Sequence, residues 1–89
     1  MSTYRLIVTG RVQGVNYRRF VVEVAQTLDY VGYVCNLEDG KVEVVVNAQY
    51  EEDFEFFISK LYEGSLFSDV QDITYEKIET LHFDRFEKR

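Results

Sequence analysis

Residues 31–48 read VGYVCNLEDGKVEVVVNA. Within them Val42, Val44, Val46 and Ala48 alternate with Lys41, Glu43, Val45 and Asn47, the period of two expected of a strand that turns one face to a core. The preceding run, YVGYVCNL at 30–37, is rich in the β-branched and aromatic residues that suit a pleated surface. Between the two runs lies Asp39-Gly40, and both residue types tolerate the left-handed backbone of a tight turn. The stretch predicts a β-hairpin joining two antiparallel strands, with its turn at residues 38–41.

Helical patterns flank this hairpin. Upstream, Tyr17, Val21, Val24, Ala25 and Leu28 recur at helical spacing, and Asn16 is placed to cap the first turn through its side chain. Downstream, EEDFEFFISKLYE at 51–63 sets Phe54, Phe57, Ile58 and Leu61 at i, i+3, i+4 and i+7. Its acidic first turn suits the positive end of the helix dipole, and Gly64 is a natural stop. Outside the helices, YRLIVTGRV at 4–12 places Leu6 and Val8 on one face and Arg5, Ile7 and Thr9 on the other. DVQDITYEKI at 69–78 reads as a fourth strand interrupted by Asp72, and LHFDRFEK at 81–88 holds a short last strand. The order β-α-β-β-α-β predicts an α+β sandwich of ferredoxin-like topology. Two helices pack on one face of a mostly antiparallel sheet, and residues 1–89 are expected to form a single domain.

Charge narrows the choice of partners. Sixteen Asp and Glu against ten Lys and Arg give a net charge of −6, which opposes a general grip on nucleic acid or an anionic membrane. It leaves room for a small anion in a local basic pocket. The lone Cys35 cannot form an internal disulfide or a multi-cysteine metal cluster, and it suits a reducing compartment. MSTYRLIVTGRV lacks the basic-then-apolar pattern of a signal peptide, and no run approaches membrane-spanning length. The expectation is a cytoplasmic protein.

The segment GRVQGVNYRRF at 10–20 is where such an anion pocket is expected. A turn of successive backbone amides that feeds a helix N-terminus forms a nest for phosphate. Gly14 permits the sharp bend, and Arg18 sits in the first helical turn, where its fork matches two phosphate oxygens. The segment is neither a Walker loop nor a GxGxxG fingerprint. Arg19 is expected to face solvent and Arg11 to lie on the strand rim. Asn36, at a strand end, either satisfies the turn backbone or orients one water beside a bound phosphate; a carboxamide cannot deprotonate that water.

GRVQGVNYR at 10–18, followed by GYVCNLEDGKVEV at 32–44, closely resembles the acylphosphatase family, and the resemblance runs through Phe54 and the helix at 51–63 to the strand around Phe86. It implies a small ferredoxin-like hydrolase that cleaves an acyl phosphate to a carboxylate and inorganic phosphate by water attack on phosphorus, with neither metal nor cofactor. Arg18 matches the family's phosphate-binding catalytic arginine, and Asn36 the asparagine that positions the attacking water. Gln13, Gly14, Val15, Asn16, Tyr17 and Arg18 match the phosphate-binding loop. The partners implied are a small acyl phosphate and inorganic phosphate as product or inhibitor, with no nucleic acid and no membrane, for a monomeric enzyme.

Three departures from the family pattern stand out. Asn16 replaces a frequent glycine, Cys35 a frequently basic residue, and GSLFSDV at 64–70 lacks the family's prolines. A catalytically weak anion-binding or protein-interaction module is the alternative, with an RNA-binding sheet behind it; the acidic composition opposes the latter. His82 lies far from both motifs, and one histidine with one cysteine cannot build a zinc site. The acidic run at 51–53 reads as a solvated helix start in preference to a cation site.

Overall fold

The computed structural model describes residues 1–89 and forms the hairpin from β2 (Gly32–Asn36) and β3 (Val42–Ala48). Around it stand β1 (Ser2–Arg11), α1 (Tyr17–Thr27), α2 (Glu51–Glu63), β4 (Asp69–Ile78) and β5 (Phe86–Lys88). The five strands make one sheet in the order β4-β1-β3-β2-β5, antiparallel except where β5 runs parallel to β2. The fold is the ferredoxin-like βαββαβ arrangement, with both helices on one face.

Period-two alternation supplies the sheet's half of the core. Leu6, Val8, Val34, Val42, Val44 and Val46 are fully buried against Tyr17, Val21 and Ala25 of α1 and Phe57 and Leu61 of α2. Tyr17 also donates its hydroxyl to the Leu61 carbonyl at 2.9 Å, so one side chain fills the core and joins the two helices. α1 ends without a glycine. Asp29 takes the left-handed conformation (φ 56°), while Tyr30 N–H bonds the Ala25 carbonyl at 2.9 Å and Asp29 N–H that of Gln26 at 3.1 Å, a Schellman motif.

Asp72 does not break β4. The register slips between Thr9 and Gly10 of β1, which pair with Asp72 and Val70, and the extra residue Gln71 is absorbed as a bulge. Gly10 is obligatory there, because a Cβ would stand 2.1 Å from the Asp69 carbonyl oxygen.

The face away from the helices is not bare. The segment 79–85 crosses it from β4 to β5, held by Leu81 N–H to Thr3 Oγ1 (3.0 Å), Asn47 Nδ2 to the Leu81 carbonyl (2.9 Å) and Gly32 N–H to the Arg85 carbonyl (3.1 Å). Val45 and Asn47, on the face opposite the core, are buried as a result. No helix is long and apolar enough to cross a membrane.

Candidate active site

Residues 12–16 turn the chain from β1 into α1. Gly14 (φ 72°) and Asn16 (φ 60°) both take left-handed backbone, which bends the turn inward. Asn16 therefore does occupy the cap position, but its side chain makes no capping hydrogen bond, contrary to the expectation from its residue type. A left-handed residue aims its side chain away from the first-turn amides, and the Asn16 carbonyl instead accepts the first helical bond, from Phe20 N–H at 3.1 Å. The N–H groups of residues 13–19 consequently donate to no other group of the chain. Unpaired amides in a turn at a helix N-terminus are the elements of an anion nest.

Two attachments hold this turn. The Gln13 side chain donates Nε2 to the carbonyls of Leu37 (2.8 Å) and Lys41 (2.9 Å), which fasten it to the hairpin. Both acceptors are carbonyls, so the amide orientation of Gln13 follows from its partners. On the other side, Ser65 Oγ donates to the Val15 carbonyl at 2.9 Å.

Asn36 ends β2 two residues after the buried Val34, so alternation puts it on the helix face beside the N-terminus of α1. An open cleft of about 220 Å³ brings it together with Gly14, Asn16, Tyr17 and Arg18, segments remote in sequence. Val12, Arg19 and Lys88 complete the lining, so three cationic side chains and no Asp or Glu face the cleft of an acidic protein. Arg18 donates Nη1 to the Arg89 backbone oxygen at 2.7 Å, which fixes the guanidinium while its other donors stay free.

Of the residues matched to the phosphate loop, Gln13 and Val15 do not line the cleft. The Gln13 side chain serves the hairpin, Val15 packs partly against the core, and the Tyr17 side chain belongs to the core. Arg19 is exposed and pairs with Glu23 at 3.4 Å, as its position suggests, but it also borders the cleft, which was not expected. Arg11 is exposed at the end of β1. Sequence reasoning missed Lys88, because a three-residue strand has too little periodicity to show which way it points. It also missed the bridging role of Gln13, whose signal was present: a long carboxamide one residue before a glycine turn.

Cys35 lies on the other face of β2, with Sγ 3.5 Å from Glu43 Oε1. Burial first, then that carboxylate, push the thiol above its ordinary value, so it stays protonated at neutral pH and is a poor nucleophile. His82 sits on the crossing segment, 3.1 Å from Asp84, and does not line the cleft. No imidazole or carboxylate is thus positioned in the cleft as a base.

Comparison with known proteins gives a consistent result. The family model described as Acylphosphatase matches residues 4–88. An acylphosphatase of Bacillus licheniformis is 42% identical over 88 residues, covering 99% of this chain and 94% of the relative. The crystal structure of acylphosphatase from Bacillus subtilis superposes with a TM-score of 0.93 at 38% identity, covering 100% of this chain and 99% of that one. An acylphosphatase structure from Coxiella burnetii gives 0.91 at 30% identity, covering 99% and 92%.

Proposed function

The chain belongs to the acylphosphatase family, and on that premise we propose how its cleft hydrolyses an acyl phosphate to a carboxylate and inorganic phosphate. The observation that carries the residue roles is the run of unpaired amides at 13–19 beside Arg18, facing Asn36 across one cleft. The amides of the turn and the free donors of Arg18 clamp the phosphoryl oxygens. Asn36 holds a water molecule in line with the bond from phosphorus to the carboxyl oxygen. The water oxygen forms its bond to phosphorus, the P–O bond to the acyl group breaks, and the carboxylate leaves with that electron pair. The water's proton passes to a phosphoryl oxygen.

Charge decides where the acceleration comes from. Phosphoryl transfer spreads negative charge over the equatorial oxygens, and donors already aimed at them stabilise that charge without reorganising. A carboxylate is a stable leaving group, so no strong general acid is required. A cleft without imidazole or carboxylate suits a mechanism in which placement, not deprotonation by the protein, activates water. The enzyme then acts as a monomer in the cytoplasm, where its single thiol stays reduced, with inorganic phosphate as product and competitive inhibitor.

Turnover of an aryl acyl phosphate by purified protein tests these roles. Arg18→Ala and Asn36→Ala are each expected to lower kcat by about 10²–10³, the scale set by removal of one transition-state donor. Activity of the parent should survive a chelator. Near-parental rates in both variants would remove the assignment of these two residues.

A further inference from the structure

The turn that forms the proposed phosphate cradle is a run of peptide planes, and each plane can present either its N–H or its carbonyl to an anion. In a trans peptide the two groups point to opposite sides, and no peptide bond of the chain is cis. For the plane between Val15 and Asn16 the outer side is defined. The Val15 carbonyl accepts from Ser65 Oγ at 2.9 Å, and neither Val15 nor Ser65 lines the cleft. Asn16, at the other end of the same plane, does line it, and its N–H donates to no group of the chain. That N–H therefore points away from Ser65, on the side where the anion would sit.

This orientation carries a backbone cost. It requires φ of 60° at Asn16, a left-handed value that disfavours any residue with a Cβ, asparagine less than most. Turning the plane over by a half-turn would take this φ to about −120°, a negative value ordinary for such residues. The same half-turn would bring the Val15 carbonyl to the cleft in place of the Asn16 N–H, exchanging a donor for an acceptor that repels phosphate. Local backbone preference thus opposes the anion-binding form. The bond from Ser65 opposes the half-turn, because the turned carbonyl would lose it. Ser65 is itself well anchored: α2 ends with Gly64 N–H on the Lys60 carbonyl (3.2 Å), and the Ser65 carbonyl accepts both Ser68 N–H (3.1 Å) and Ser68 Oγ (3.0 Å). Tyr17 Oη, on the Leu61 carbonyl at 2.9 Å, fastens the start of α1 to the same end of α2.

We propose that Ser65 is a positioning residue for the hydrolysis: by holding the Val15 carbonyl, it keeps the Val15–Asn16 plane turned so that the Asn16 N–H is aimed at the phosphoryl group. The proposal rests on the acyl phosphate reading of the cleft. Ser65 touches no substrate and acts only through this peptide. The need for it comes from Asn16, since a glycine there would adopt either sign of φ about as readily.

The test measures kcat/KM for benzoyl phosphate and the inhibition constant of inorganic phosphate. It compares the parent with Ser65→Ala, Ser65→Thr, Asn16→Gly and the Ser65→Ala/Asn16→Gly double variant. Ser65 is half-buried at the surface, so the fold should tolerate its replacement. Ser65→Ala should lower kcat/KM and raise the phosphate inhibition constant, each about tenfold, the low end for losing a hydrogen bond to a charged group. Ser65→Thr keeps the hydroxyl and should stay near the parent. Added to Asn16→Gly, Ser65→Ala should cost only about threefold or less, because glycine removes the preference for the turned-over plane and residues sharing a backbone shift are non-additive. A loss of equal size in both backgrounds would make Ser65 a brace of the loop with no hold on the plane, and would overturn the proposal. Unchanged kinetics in Ser65→Ala, or an equal loss in Ser65→Thr, would overturn it too. Each of these outcomes leaves the reading of the cleft in place, whereas a parent that neither hydrolyses benzoyl phosphate nor binds phosphate overturns both.

Discussion

Gln13 does not line the cleft, yet it fixes how the proposed phosphate cradle sits. Its amide reaches the Leu37 and Lys41 carbonyls, and Leu37 directly follows Asn36. Through one side chain, the proposed cradle and Asn36 share a fixed separation. Gln13→Ala should therefore lower kcat by about 10–100-fold, since small misplacements of reacting groups carry costs of that order. KM and phosphate inhibition should change little, because the amides and Arg18 remain. Parental kcat in this variant would show that the hairpin holds its place without the bridge. Asn16 is the complementary case. Its φ of 60° is a conformation that asparagine reaches more readily than most residues, so the turn keeps its left-handed bend without a glycine there.

Among the elements, β3 has a second partner besides the core. Glu43 accepts from Arg5 Nε (2.5 Å), Tyr33 Oη (2.9 Å) and Cys35 Sγ (3.5 Å), tying β1, β2 and β3 together on the face away from the helices. Burial alone would raise its pKa, but the hydrogen bonds from Arg5, Tyr33 and Cys35 outweigh it and hold the carboxyl below its ordinary value. The folded state then binds this proton more weakly than the unfolded chain. The stabilisation is complete above the ordinary glutamate value, about 4.3, and is lost as the pH falls through the lower folded value. Glu43→Gln should be less stable than the parent near neutral pH, with the gap in urea midpoint closing as the solution is acidified. A gap independent of pH would mean that the carboxylate's charge contributes nothing. This network explains what was and was not legible in the chain. Alternation in KVEVVVNA revealed the core face of β3 and hence the βαββαβ order, because burial on one face leaves a period of two. The other face was illegible: Glu43 pairs with Arg5, 38 residues away, and Asn47 with the Leu81 carbonyl, 34 residues away, and such pairings leave no local pattern. The same holds for the site. Arg18 and Asn36 stood out through their turns and motifs, whereas Lys88 enters the cleft through the parallel pairing of β5 with β2.

Across the whole molecule, the net charge of −6 and the cationic cleft act on an anionic substrate in opposite senses. Their ranges differ. α2 ends beside the cradle, where Leu61 accepts from Tyr17 and Ser65 holds Val15. Its acidic first turn, Glu51 to Asp53, begins at the other end of thirteen helical residues, roughly 20 Å away. The Debye length is about 30 Å in 0.01 M salt and about 10 Å in 0.1 M salt, so repulsion from that turn reaches the cleft only in the dilute case. Glu51→Gln/Glu52→Gln removes two negative charges, taking the net charge from −6 to −4. It should lower KM for an acyl phosphate near 0.01 M salt, as the Debye length requires, and leave it at the parent's value near 0.1 M. Lys88→Met should instead raise KM under both conditions, because Lys88 lines the cleft itself and its distance from the proposed substrate is well within the Debye length at either salt concentration. If the helix variant shifted KM equally at both salt concentrations, long-range repulsion would not be the cause. The acidic turn would then have to act on the cleft through the packing of α2 against α1.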